Sequence, residues 1–199
     1  MNLFNSIITI WLFLISQICF AQYDKTHYLP PTYSEITTIN ASYIILTTLE
    51  ENPFDVAITN ASGTYNQNLI GLSKTNPIKI TLPKGDTDGI FTKSEGKTNN
   101  ALKTEGFILT ADKYFFTSQI HVVPNQAAVI ASKGGTAGLG TEFYSGHLYS
   151  AGGSPNVRAH FISVIASEDN TTVTFDNSNI KWEGKPNKFD VTLNKGESY

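Results

Sequence analysis

Apolar side chains in this chain recur at every second position, and that spacing constrains its fold more than any other feature. Phe54, Val56 and Ile58 alternate with Asp55, Ala57 and Thr59; Ile78, Ile80 and Leu82 with Lys79 and Thr81; Phe189, Val191 and Leu193 with Asp190 and Thr192. Successive residues of a strand point to opposite faces, so each segment predicts a strand with one face on a core. Two further runs, 43–49 and 161–166, are almost continuously apolar or β-branched and predict central strands covered on both faces. The runs 107–109, 114–123 and 127–131 add three more strands.

Turn chemistry separates these segments: Glu51-Asn52-Pro53, Ala61-Ser62-Gly63, Lys84-Gly85-Asp86, Asp88-Gly89, Lys133-Gly134-Gly135 and Asp169-Asn170. Residues 99–105 have a helical reading of one or two turns, and no amphipathic helix stands out elsewhere. Many short strands between regular turns predict an all-β chain of antiparallel sheets packed as a sandwich, with propeller-like blades as the alternative.

The chain also matches itself. Tyr28, Tyr33 and Ser34 recur with the same spacing as Tyr144, Tyr149 and Ser150; residues 45–58 align without gaps on 162–175; and 80–86 align on 191–197. Tandem repeats of about 116 residues follow as an expectation, each unit needing its neighbour to close a core. The second unit ends at Tyr199, where the first is about half complete. A longer protein, of which this is the N-terminal part, is therefore expected.

The first residues read differently. Residues 7–18 are Ile, Leu, Phe and Trp interrupted only by Thr9, Ser16 and Gln17, and Cys19-Phe20-Ala21 supplies small residues at both positions that precede a cut. An apolar run closed in this way predicts a secretory signal peptide over 1–21, cleaved between Ala21 and Gln22. The run is too short to span a bilayer comfortably, and no Lys or Arg precedes it. Lipidation of Cys19 would call for a small residue at position 18, which is Ile. Residues 22–199 then form one β domain with no transmembrane segment. The single cysteine, Cys19, leaves with the signal, so the exported part rests on its hydrophobic core without disulfides. A formal net charge of −3 implies neither nucleic acid nor another strongly charged partner.

No catalytic constellation emerges. The four histidines, His27, His121, His147 and His160, show none of the paired spacings of a metal site, although His147 and His160 flank one glycine-containing loop. Serine hydrolysis needs a serine beside a carboxylate-oriented histidine. Ser145 and His147 are close in sequence, but no Gly-x-Ser-x-Gly is present. The glycine-rich segment 134–140 lacks a phosphate-binding spacing and reads as a turn between strands. Asp86 and Asp88, ahead of Gly89, are the calcium candidates, since paired aspartates offer hard oxygen ligands in a tight turn. Against them, the full loop pattern is missing and Asp-Gly is an ordinary turn signal. The acidic turns at Glu50-Glu51-Asn52 and Glu168-Asp169-Asn170 read as solvated hairpin tips. Tyr65, Tyr149 and Trp182, near predicted turns, are candidates to stack on a sugar. No cofactor is implied.

Five segments carry a family resemblance: 27–31 (HYLPP), 106–113 (GFILTADK), 132–135 (SKGG), 139–147 (LGTEFYSGH) and 161–173 (FISVIASEDNTTV). Together they resemble the N-terminal domain of the IgGFc-binding protein family, in particular its bacterial, Bacteroidetes-type secreted or surface members. The resemblance runs over most of 25–199 and rests on strand and turn patterns. It implies a non-enzymatic interaction or adhesion module, secreted or displayed on the cell surface, whose partner is a surface glycan or protein. The alternative is a carbohydrate-binding or carbohydrate-acting domain, with exposed aromatics lining a groove and, for a glycosidase, two carboxylates about 5–10 Å apart.

Overall fold

Wherever the alternation is strict, the chain forms a strand. The structure is a computed structural model that describes residues 22–33, 41–82, 91–92, 99–123, 126–131, 135–145, 161–176 and 184–199. In chain order the strands are β1 (Asp24–Leu29), β2 (Thr32–Tyr33), β3 (Ala41–Thr47), β4 (Phe54–Thr59), β5 (Asn66–Leu72), β6 (Ile78–Leu82), β7 (Phe91–Thr92), β8 (Phe107–Val123), β9 (Gln126–Ala131), β10 (Thr171–Asp176) and β11 (Lys188–Leu193). A single helical turn, α1 (Gly135–Gly138), follows β9.

Seven strands make the main sheet, in the order β5-β4-β8-β3-β6, with β1 and β9 also paired to β8; every pairing in it is antiparallel. The long strand β8 organises the rest. Its first half pairs with β1 and β4, and its second half with β3 and β9. Between the halves lies a wide irregularity: Thr26 faces Thr110, whereas Asp24, two residues back on β1, faces Phe115. Extra residues on one strand of a pair bend it. The sheet therefore curls into a half-barrel rather than stacking as a flat sandwich.

One face of the strands holds the core. Phe54, Val56 and Ile58 of β4, Ile44 and Leu46 of β3, Ile80 and Leu82 of β6, and Phe107, Leu109 and Phe115 of β8 are buried together with Leu29 and Leu72. Burying each such side chain contributes ~1.5–3 kcal/mol. The second half of β8 turns polar residues to the same face: Thr117, Gln119 and His121 are all buried.

Of the four remaining strands, β2 and β7 form a short parallel pair, and the other two make a smaller unit. β10 and β11 make an antiparallel hairpin in which Phe175 stacks on Phe189 with ring centroids 4.9 Å apart. Tyr199 tilts against both rings. Asn170, in the turn before β10, takes a φ of 56°, a left-handed conformation that asparagine tolerates well.

Residues 161–166, expected as a central strand, contribute instead one isolated bridge, Ile165 to Ser198, and backbone hydrogen bonds from Val164 and Ala166 to Tyr199 and Glu197. The expected helical turns at 99–105 are replaced by a second bridge, Leu102 to Ser198. Residues 196–199 thus lie between two segments far apart in sequence.

The strands equated by the internal match do not pair alike. β6 pairs with β3, whereas β11, its counterpart, pairs with β10. Tyr28 is half-buried in β1, while its counterpart Tyr144 is exposed in a loop. Among the described residues, the fold does not show two copies of one unit.

Candidate interaction surface

Two of the four histidines lie within the described residues, and both are buried. His27 faces Leu109 in the β1–β8 ladder, but its ring reaches past the irregularity in β8. It packs on the Phe115 ring at 4.5 Å, and Nε2 donates to the Phe115 carbonyl oxygen at 2.9 Å. Burial lowers its pKa, against the smaller opposing effect of backbone hydrogen bonds. The histidine therefore holds the bend of β8 as a neutral donor.

His121 lies further along the same face. Its Nε2 is 3.1 Å from Thr32 Oγ1 and its Nδ1 is 3.2 Å from Ser42 Oγ. Hydroxyls donate or accept, so a neutral imidazole satisfies both, with one nitrogen as donor and the other as acceptor. Desolvation lowers its pKa to about 4. Ser42 and His121 form a serine–histidine pair that the sequence did not suggest, because the residues are 79 positions apart. Both are buried, with 1 % and 5 % of their surface exposed, so the hydroxyl is not presented to a substrate. The pair ties β3 to β8.

Other expected site residues fall as follows. Tyr65 is half-buried and packs on Phe107, with centroids 4.8 Å apart, as a satellite of the core rather than a sugar platform. Ser145 is exposed. Gln22 is exposed two residues before β1. Ala21, Asp86, Asp88, His147, Tyr149, His160 and Trp182 lie outside the described residues. Among the described residues, no group of three or more His, Cys, Asp or Glu is placed to hold a metal ion.

The acidic turns are surface tips. Glu50 and Glu51 make long ion pairs with Lys113 and Lys74, at 3.8 and 3.7 Å. Asp169 Oδ1 accepts from the Lys195 backbone N–H at 3.0 Å.

The two most exposed aromatic rings among the described residues lie elsewhere, in the segment after α1. Leu139, Phe143 and Tyr144 are exposed, Phe143 by 69 % and Tyr144 by 89 %. The segment begins at a tight anchor. Gly135 sits so close to β1 that a Cβ there would come within 3.0 Å of Asp24 Oδ2 and 3.1 Å of the Thr26 carbonyl oxygen. The glycine-rich stretch, expected as a plain turn, therefore forms a helical turn docked on β1. Phe143 folds back over Gly140, where a Cβ would lie 3.0 Å from its ring. The Tyr144 hydroxyl donates to Glu142 Oε1 at 2.7 Å, a bond that raises the tyrosine pKa. Rings held in the open by a short, anchored loop are what a binding surface needs, since aromatics dominate interface energetics.

A second aromatic group lies where β8 bends. Tyr23 stacks on Phe116 at 4.5 Å and tilts against Tyr114 at 5.5 Å, with Lys25 Nζ 5.3 Å above the Tyr114 ring.

Fold and surface together define an all-β domain with an exposed aromatic loop and, among the described residues, no helix long and apolar enough to cross a membrane. A family model described as IgGFc binding protein matches residues 127–199. The match includes α1 and the Phe143–Tyr144 loop, and supports the resemblance over the segments at 132–135, 139–147 and 161–173. The segments at 27–31 and 106–113 lie outside it. No curated protein matches the chain, and no solved structure does.

Proposed function

We propose that the chain is a secreted or surface-displayed binding module that works without catalysis, and that the loop 139–145 is part of its contact surface. One observation carries the reading: among the described residues the most exposed aromatic pair, Phe143 and Tyr144, lies inside the stretch that matches a family described by binding. Clustered exposed apolar groups mark interaction surfaces, whereas singly scattered ones do not. Export by the signal over 1–21, with cleavage before Gln22, belongs to the same reading. So does the partner class, a protein such as an antibody Fc region or a surface glycan. The glycan arm is favoured by the pairing of an open tyrosine ring with a neighbouring carboxylate, Glu142, since a sugar offers both an apolar face and hydroxyl donors.

The test is binding of the full chain, recovered from the secreted fraction, to Fc, mucin and a glycan array. The double variant Phe143→Ala/Tyr144→Ala is measured in parallel. Binding to one of the three, weakened at least tenfold in the variant, supports the reading. Absence of binding to all of them, or hydrolysis of the glycans, overturns it.

A further inference from the structure

We infer that Gln22 is a modification site: as the first residue of the exported chain, it closes on itself to a pyroglutamyl end. The inference rests on the proposed cleavage between Ala21 and Gln22, and three structural observations add to it.

Gln22 is exposed, so its side chain stands clear of the protein. The next residue is fixed. The Tyr23 ring stacks on Phe116 and packs against Tyr114, and its hydroxyl lies 3.3 Å from Thr48 Oγ1 and 3.4 Å from the Leu49 backbone nitrogen. β1 begins one residue later, and among the described strands it is held only by β8. A terminus in this setting is a single free residue on a rigid stem, with a side chain of the right length to reach its own amine.

The chemistry needs no partner. The neutral α-amino nitrogen attacks the side-chain carboxamide carbon, Cδ. The bond between N and Cδ forms, and the bond between Cδ and Nε2 breaks. The proton released from the amine leaves with Nε2 as ammonia, and nothing is oxidised or reduced. An α-amino group has a pKa near ~7.7–8.0, so a useful fraction is neutral at ordinary pH.

The consequence follows from the stem. An aminopeptidase that passed Gln22 would next remove Tyr23 and then the first residues of β1, stripping the aromatic stack from the bend of β8. A lactam has no free amine for such an enzyme to grip, and it carries one positive charge fewer beside the Tyr23–Tyr114 pair.

The experiment is mass analysis of the N-terminal peptide from the full-length gene product, secreted through its own leader. The expected product starts at residue 22, is lighter by one ammonia, and resists stepwise N-terminal degradation until treated with a pyroglutamyl peptidase. Gln22→Ala is expected to start at the same residue with an open amine. A wild-type chain whose Gln22 amine stays open after prolonged incubation at neutral pH overturns the modification and leaves the export reading standing. A chain that begins at any other residue overturns the cleavage site and the modification with it.

Discussion

Ser198 donates its hydroxyl to the backbone carbonyl of Glu105 across 93 residues of chain, at 2.9 Å, with the serine fully buried. The same residue exchanges backbone hydrogen bonds with Leu102 in both directions. Nearby, Lys103 reaches Glu197 at 3.4 Å. These contacts pin the end of the β10–β11 unit to the segment that leads into β8. Ser198→Ala removes the side-chain bond and leaves a buried carbonyl short of a donor. The expected cost is ~1.5 kcal/mol, or about 5 °C in Tm for a chain of this size. Thermal unfolding of the two proteins side by side checks it; an unchanged Tm would show that the two units are not coupled through this contact.

The course of β8 shows how far the sequence could be read. Residues 107–109 and 114–123 read as two strands, because Asp112 and Lys113 break the apolar pattern between them. The structure runs through without a break and absorbs Asp112 and Lys113 in the irregularity opposite β1. Strands β4 and β6 were legible to the residue, since one face of each is apolar and the other polar. β1 was not, because one of its two buried side chains is a histidine. Nor was β5, most of whose side chains are exposed, and which is held on β4 partly by Asn68 and Gly71 bonding Asp55. The aromatic loop escaped notice for another reason. Period tells which residues share a face, but not that a glycine-tight docking of α1 on β1 will leave Phe143 and Tyr144 outside.

His121 predicts how stability depends on pH. Its folded-state pKa is lowered from 6.5 to about 4, so the folded chain resists protonation that the unfolded chain accepts. The resulting stability is fully present above about pH 6.5 and is lost as pH falls through 4, for a total of about 3 kcal/mol. His27 is shifted in the same direction and adds to the loss. Urea unfolding between pH 7 and pH 4 measures the slope. His121→Asn is expected to be less stable at pH 7, through its lost hydroxyl contacts, but to show a shallower decline. Parallel curves for the two proteins would remove His121 as a source of the pH dependence.

Two glycines with positive φ separate backbone strain from crowding. Gly63 has φ +69° with nothing within 4 Å of a Cβ, whereas Gly106, at φ +88°, would place a Cβ 3.0 Å from the Leu29 carbonyl oxygen and 3.3 Å from Pro31 Cδ. Gly63→Ala should cost only the left-handed conformation, about 1 kcal/mol. Gly106→Ala adds a clash against backbone that cannot easily move, because Leu29 is paired with Phe107. About 3 kcal/mol or more is expected there. Equal losses in chemical denaturation would mean that the approach of β1 to residue 106 is looser than the geometry indicates.

The aromatic loop should show the opposite of the core: little stability, much binding. Phe143 touches Gly140, and Tyr144 bonds only its near neighbour Glu142 among the hydrogen bonds described, so neither ring contributes to the buried cluster of the half-barrel. Phe143→Ala and Tyr144→Ala are therefore expected to change unfolding free energy by less than about 0.5 kcal/mol each. A control of similar size in the core, Phe115→Ala, should cost ~3–5 kcal/mol, since Phe115 is fully buried and carries the His27 contact. If the loop is a contact surface, the two surface variants lose ligand while keeping the wild-type Tm. A large drop in Tm for either would instead make the loop part of the scaffold and leave the contact surface to be sought at the Tyr23–Tyr114 cluster.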